Sequence, residues 1–161
     1  MSKKILVTGP DLDPSAVALV KDHGYETVHT PAYADSDVIS TLLVETGAEG
    51  IVSRMGRLDA DVLEKAPKLR VISKHGVGVD NIDLLEASRR GVVVMNAAFG
   101  NSVTTAEHAL TLMMSLARKV PAASGSMHEG RWDKSKYKGS ELWTKTLGVL
   151  GWGNIGKLVA D

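Results

Sequence analysis

Short apolar runs that alternate with helical patterns constrain the fold of this chain more than any other feature. They lie at residues 5–7, 26–29, 50–53, 69–73 and 92–95. Strands that alternate with helices form a parallel sheet covered on both faces, and such strands are continuously apolar because both of their faces are buried. The pattern predicts an α/β unit over residues 1–97, a flavodoxin-like, doubly wound parallel sheet.

Helix ends are also recognisable in this region. Asp13, which precedes a proline, is typical of a helix N-terminus. Asn81 is predicted to cap a helix over residues 82–90. A further helix is predicted over residues 36–45. Its spacing points three side chains toward the core, namely Val38, Leu42 and Leu43.

The pattern changes after residue 97. Residues 103–119 predict a long helix that ends before Pro121, with apolar side chains around most of its surface. Such a helix is buried on several sides, by its own domain or by a partner. A polar, loop-rich stretch over residues 124–145 follows, and its large aromatic side chains need something to pack against. These aromatic residues are Trp132, Tyr137 and Trp143.

The last segment carries the most specific motif. Residues 146–150 predict a strand, residues 151–156 spell G-x-G-x-x-G, and a helix begins from residue 157. In that setting Gly151 permits a tight turn, Gly153 lets a pyrophosphate approach the backbone, and Gly156 lets the helix pack on the strand. The helix N-terminus offers free N–H groups to the phosphates. We therefore predict the start of a Rossmann nucleotide-binding domain over residues 98–161.

The rest of that domain is expected outside the chain. A ribose-binding acidic residue is expected about 20 residues after the motif, and only five residues follow Gly156. One strand and the beginning of one helix cannot form a complete nucleotide domain. The chain is therefore predicted to be a truncated piece of a longer protein.

A second glycine-rich loop directly follows the fourth strand, at residues 76–79. Ligands of such folds bind at the carboxyl ends of the strands, and successive N–H groups of a glycine loop can bind an anion such as a carboxylate. A plain turn between a strand and a helix, with Asn81 as the cap, explains the same residues and is favoured on local grounds. At this point both interpretations stay open.

Composition excludes several other functions. Lys and Arg together number 19, as do Asp and Glu, so the net charge of zero gives no basic surface for nucleic acid or membranes. The chain has no cysteine, which excludes disulfides and Cys-ligated zinc, and Glu107-His108 does not match a zinc motif. The apolar run near residue 5 is too short for a signal peptide, so none is expected, and no run of about 20 apolar residues occurs in the sequence. We expect a cytoplasmic protein with no metal, nucleic-acid or membrane partner.

Five motifs taken together resemble the D-2-hydroxyacid dehydrogenase family. They lie at residues 74–84, 91–96, 101–108, 127–132 and 151–156. The resemblance implies that residues 1–97 form most of the substrate domain and that the helix from residue 103 leads into the cofactor domain. It also implies that this helix and the stretch over residues 124–145, called the arm with Trp132 below, make a homodimer contact.

The resemblance further implies roles for individual residues. The backbone of Val77 and Gly78 would hold the carboxylate of a 2-hydroxy or 2-oxo acid, and Asn101 would lie beside substrate and nicotinamide. The pyrophosphate of NAD, with NADP as the alternative, would be held by Gly151, Gly153, Asn154, Ile155 and Gly156. The reaction would move a hydride between C2 of a D-2-hydroxy acid and C4 of the nicotinamide.

The catalytic groups of the family are expected beyond residue 161. The family uses a His paired with a carboxylate and an Arg, all well downstream of the glycine motif. No catalytic residue is therefore assigned here, and the polypeptide alone is expected to be inactive. His75 is expected to have a structural role or to support a residue that contacts the substrate.

The substrate is less well defined than the family. The branch that acts on 3-phosphoglycerate often has Arg-Ser after the third strand, whereas this chain has Ser53-Arg54 followed closely by Arg57. Either Arg54 or Arg57 could bind the substrate phosphate. The alternative function is a non-catalytic ligand-binding or signalling module of flavodoxin-like fold. A phospho-receiver, however, needs an Asp where this chain has Ser53.

Overall fold

The structure, a computed structural model, describes residues 3–161. Its first unit contains a five-stranded, wholly parallel sheet in the order β2-β1-β3-β4-β5. The strands are β1 (Lys3–Thr8), β2 (Tyr25–His29), β3 (Gly50–Ser53), β4 (Val71–Lys74) and β5 (Val93–Asn96). This is the flavodoxin-like strand order, and the predicted fold class is confirmed.

The register of the sheet explains where the core lies. One row of neighbouring residues crosses all five strands and faces the same layer of helices. Its three central members, Leu6, Ile51 and Ile72, are fully buried or nearly so. The row consists of Val28, Leu6, Ile51, Ile72 and Val94. Burial of this row stabilises the sheet and fixes its register, since a slip by one residue would turn it to the opposite face.

Four helices connect the strands of the first unit. They are α1 (Pro14–Asp22), α2 (Ser36–Thr46), α3 (Ala60–Glu64) and α4 (Leu84–Arg89). The carboxylate of Asp13 accepts from the amide of Ser15 at the start of α1, as the sequence predicts, and Gly47 ends α2 in the left-handed conformation.

Two predictions in this unit are wrong. The N-cap of α4 is Asp83, whose carboxylate accepts from the amide of Glu86, whereas Asn81 uses its side chain elsewhere. On α2, Val38 is 38 % exposed, because the core-facing stripe runs through Ile39 and Leu43.

The second unit is helical. It contains α5 (Ser102–Ala117), α6 (Val120–His128), a 3₁₀ turn (Lys134–Tyr137) and α7 (Asn154–Ala160), and α7 packs against α5. Pro121 was expected only to end a helix, but it lies in the first turn of α6, where its missing N–H and fixed φ are harmless. The predicted strand over residues 146–150 is not formed, because no neighbouring strand in this unit pairs with it.

The chain divides into these two units between Gly100 and Asn101. The assignment of residues 1–97 to a substrate domain and of residues 98–161 to a cofactor domain stays a prediction. None of the helices described between residues 3 and 161 is long and apolar enough to cross a membrane.

Candidate substrate and cofactor sites

The loops at the carboxyl ends of the strands are tied to one another by side-chain hydrogen bonds. The hydroxyl of Thr8, at the end of β1, accepts from the amide of Arg54 at 2.9 Å. The amide of Gly9 donates to the hydroxyl of Thr30, just after β2, at 3.1 Å. Threonines at these strand ends therefore hold the edge of the sheet at which this fold binds ligands.

The two candidate arginines after β3 differ in their surroundings. Arg54 donates through Nη1 to the carbonyl oxygens of Pro10 and Asp11, at 2.7 and 2.8 Å. The exposed side chain of Arg57 makes no hydrogen bond or ion pair within the first unit as described. Arg54 is thus engaged with the loop after β1, whereas the guanidinium of Arg57 is available to an anion.

The glycine-rich loop after β4 presents unused amides, among them the adjacent pair of Val77 and Gly78. The N–H groups of Val77 and Gly78 have no acceptor among the described residues of the first unit, and Val77 is 42 % exposed. A Cβ built on Gly78 would lie 2.9 Å from Oδ1 of Asp80, so a side chain at Gly78 would displace that carboxylate. The backbone amide of His75 donates to the carbonyl of Ser53 at 2.9 Å, and its side chain is exposed, so the role expected of that side chain stays a prediction.

Asn81 joins the loops after β3 and β4. Its Oδ1 accepts from Nζ of Lys74 at 2.9 Å, and its Nδ2 donates to Oγ of Ser53 and to the carbonyl of Gly56, at 3.2 and 2.8 Å. Its own carbonyl accepts from the amide of Leu58 at 2.8 Å. One side chain therefore bridges the segment with the arginines and the segment with the free amides.

A carboxylate next to Arg57 also links two helices. Oδ2 of Asp59 accepts from the hydroxyl of Ser36 at 2.7 Å, and its Oδ1 accepts from the amide of Val62. The bond from Ser36, followed by that from Val62 and by the charge of Arg57, holds the pKa of Asp59 below its ordinary value against the effect of burial. Asp59 is therefore anionic near neutral pH.

In the second unit, the glycine motif leads into α7. Gly151 has a φ of +104°, which favours glycine, and Gly153 occupies the N-cap position. A Cβ on Gly156 would collide with the carbonyl oxygen of Gly151, whereas a Cβ on Gly153 would meet nothing within 4 Å. The first and third glycines are thus required by the turn itself, and the second leaves open space.

The remaining predicted residues lie near the starts of two helices. Asn154, Ile155 and Gly156 are in the first turn of α7, and Asn101 occupies the N-cap position of α5 without a side-chain capping bond. The structure thus groups Val77 with Gly78 in the first unit and the five glycine-motif residues in the second. No cluster of three or more potential metal ligands occurs among residues 3–161 as described.

Sequence reasoning missed two residues of the first unit. Asn81 was assigned as a cap, and Asn96 was given no role although its Nδ2 donates to the carbonyl of Val77 at 2.8 Å. Asn96 is the last residue of β5, the strand beside β4. Its position at the carboxyl end of a strand, where ligands of this fold bind, was the sequence signal that could have identified it.

The family model for the D-isomer-specific 2-hydroxyacid dehydrogenase catalytic domain matches residues 5–151, most of the chain. The chain belongs to the D-2-hydroxyacid dehydrogenase family. A similar curated relative is the D-3-phosphoglycerate dehydrogenase of Rattus norvegicus, 42 % identical over 159 residues. That alignment covers 98 % of this family member but only 29 % of the rat protein, so the chain spans less than a third of that relative.

Solved structures of similar proteins agree with this assignment. A protein of Thermus thermophilus superposes with a TM-score of 0.87 at 31 % identity, covering 98 % of this chain and 51 % of that one. The NAD-dependent formate dehydrogenase of Staphylococcus aureus, solved in complex with NAD, gives a TM-score of 0.84 at 27 % identity, covering 98 % and 52 %. This dehydrogenase-family chain thus spans about half of each of these structures.

Proposed function

We propose that this chain provides the substrate-binding loop and the first cofactor-binding elements of an NAD(P)-dependent D-2-hydroxyacid dehydrogenase. The observation that carries the proposal is the pair of unused amides of Val77 and Gly78 at the carboxyl edge of the sheet. Two adjacent N–H groups suit the two oxygens of a carboxylate. The proposal includes Asn101 as a neighbour of substrate and nicotinamide.

The glycine motif fits a dinucleotide. The turn needs glycine at Gly151 and Gly156, and the open space at Gly153 leaves room for a pyrophosphate against the backbone. Gly151, Gly153, Asn154, Ile155 and Gly156 would hold the pyrophosphate, and the nicotinamide would supply the hydride acceptor or donor. NAD is the first cofactor to test, since a structural neighbour was solved with it, and NADP is the alternative.

For the substrate, 3-phosphoglycerate is the first candidate because the rat relative is a D-3-phosphoglycerate dehydrogenase. Arg57 is the better candidate to bind the substrate phosphate, since Nη1 of Arg54 already donates to the carbonyl oxygens of Pro10 and Asp11. The proposal also includes a cytoplasmic homodimer formed through α5 and the arm with Trp132. The polypeptide of residues 1–161 is expected to be inactive alone, because residues 146–150 have no paired strand to support the glycine turn.

Two matched glycine variants test this function. In the full-length protein encoded by the parent gene, NADH formation is measured with NAD and D-3-phosphoglycerate, D-glycerate or D-lactate. Gly156→Ala should raise KM for NAD about tenfold or more, because overpacking of this kind costs about 1–3 kcal/mol. Gly125→Ala on α6 is the control, since its Cβ would meet nothing within 4 Å and it lies outside the segment expected to pair in a complete nucleotide domain. Absence of turnover with all three acids, or equal effects of the two variants, would contradict the proposal.

A further inference from the structure

Two carbonyls of the glycine loop accept hydrogen bonds from residues at the end of β5. The amide of Ala97 donates to the carbonyl oxygen of Gly76 at 3.0 Å, and Nδ2 of Asn96 donates to the carbonyl oxygen of Val77 at 2.8 Å. The sheet register explains these contacts. Asn96 pairs with Lys74, the last residue of β4, and therefore stands beside the loop that begins there.

Each of these carbonyls shares a peptide unit with one member of the amide pair of Val77 and Gly78. The carbonyl of Gly76 is in the same unit as the N–H of Val77, and the carbonyl of Val77 is in the same unit as the N–H of Gly78. Because a trans peptide unit is planar, its C=O and N–H point in opposite directions. A hydrogen bond that fixes the oxygen therefore also fixes the direction of the N–H.

We propose that Asn96 is a positioning residue for the substrate carboxylate, because its side chain orients the peptide unit that carries the Gly78 N–H. The inference rests on the proposed function, which assigns that N–H to the carboxylate. Asn96 is the one side chain in the described part of the first unit that bonds a carbonyl of residues 76–78. It is exposed, so its amide is not needed to fill the core, and its ladder contacts use only its backbone.

The contact is specific for one of the two amides. Loss of the Asn96 side chain frees the 77–78 peptide unit, whereas the 76–77 unit stays held by the amide of Ala97. The response of Gly78 to a carboxylate should therefore be lost while that of Val77 is retained. A general loss of stability would instead affect both amides together.

The experiment is an NMR titration of the ¹⁵N-labelled 161-residue chain with glycolate, a 2-hydroxy acid, and with glycolamide, its uncharged analogue. In the wild-type chain, the amide signals of Val77 and Gly78 should shift saturably with glycolate and not with glycolamide. Asn96→Ala should weaken glycolate binding about fivefold, the value of one hydrogen bond, and should abolish the Gly78 shift while keeping the Val77 shift. Met95→Ala, at the neighbouring position of β5, should behave as wild type.

A second variant reverses the expected asymmetry. Ala97→Pro removes the donor to Gly76 and should abolish the Val77 shift while keeping the Gly78 shift. Rescue of the Gly78 shift by Asn96→Gln would also support the inference, because the exposed position leaves room for the longer amide. If neither wild-type amide responds to glycolate, the proposed function fails together with the inference. If both respond in wild type and equally in Asn96→Ala, the inference alone is overturned.

Discussion

Among single residues, Asn81 and Asp83 perform two different tasks within one short segment. Asp83 caps α4 by accepting from the amide of Glu86, and Asn81 bridges the loops after β3 and β4 through Lys74 and Ser53. Both residue types are favoured at helix N-termini, so the local sequence predicted a cap at the wrong one. The bridging role depends on Ser53, which is distant in sequence and comes close only when β3 pairs with β4.

This division of tasks predicts the relative cost of two substitutions. Asp83→Ala should lower the free energy of unfolding by about 1 kcal/mol, the usual loss of a helix cap. Asn81→Ala should lower it by about 2 kcal/mol or more, because the buried hydroxyl of Ser53 and the carbonyl of Gly56 lose their donor. Urea unfolding followed by circular dichroism measures both values. A larger cost for Asp83→Ala would mean that the Asn81 contacts do not brace these loops.

At the scale of elements, the strands of the first unit were predictable and the strand before the glycine motif was not. All five apolar runs became strands, with ends within two residues of those expected, because apolar runs of this length leave a strong local pattern. The predicted burial on both faces is not reached at the edge strand β5, where Val93 and Met95 are 57 % and 52 % exposed. Residues 146–150 have the same pattern but remain unpaired in the second unit. A strand needs a hydrogen-bonding neighbour, which no local pattern supplies.

The bond between Ser36 and Asp59 joins the first turns of α2 and α3, and it predicts a pH-dependent contribution to stability. The pKa of Asp59 is lower in the folded state than in the unfolded chain, where it is about 3.9. The contribution is therefore complete above about pH 4 and is lost as the pH falls through the folded-state value. Ser36→Ala should destabilise the protein most near neutral pH and progressively less in acid.

Urea unfolding of wild type and Ser36→Ala at about pH 6, 4 and 3 measures this difference, over the range in which Asp59 titrates. Ser40→Ala is the matched control on the same helix. Its hydroxyl donates to the carbonyl of Asp37, which does not titrate, so its effect should not depend on pH. A destabilisation by Ser36→Ala that is the same at every pH would remove Asp59 as the cause.

At the scale of the whole molecule, the second unit exposes much apolar surface. Leu116 and Trp143 are 82 % and 83 % exposed, and Trp132 is 76 % exposed. The helix now observed as α5 was expected to be buried by its own domain or by a partner, and much of its apolar surface is not covered within this unit. Large exposed apolar patches promote association between copies of a chain. Because the net charge is zero, electrostatic repulsion between the copies is weak.

We therefore expect the 161-residue chain to sediment as a dimer or larger species at micromolar concentration. Leu116→Lys combined with Trp143→Lys should shift it toward monomer, because each substitution places a charge in the apolar surface of the second unit. Leu19→Lys combined with Leu85→Lys is the control, since it adds the same charge at side chains of the first unit that are 60 % and 80 % exposed. Repulsion from net charge alone would act equally in both pairs. Dissociation by the first pair only would assign the contact to the second unit, whereas a monomeric wild type would show that these side chains do not drive association.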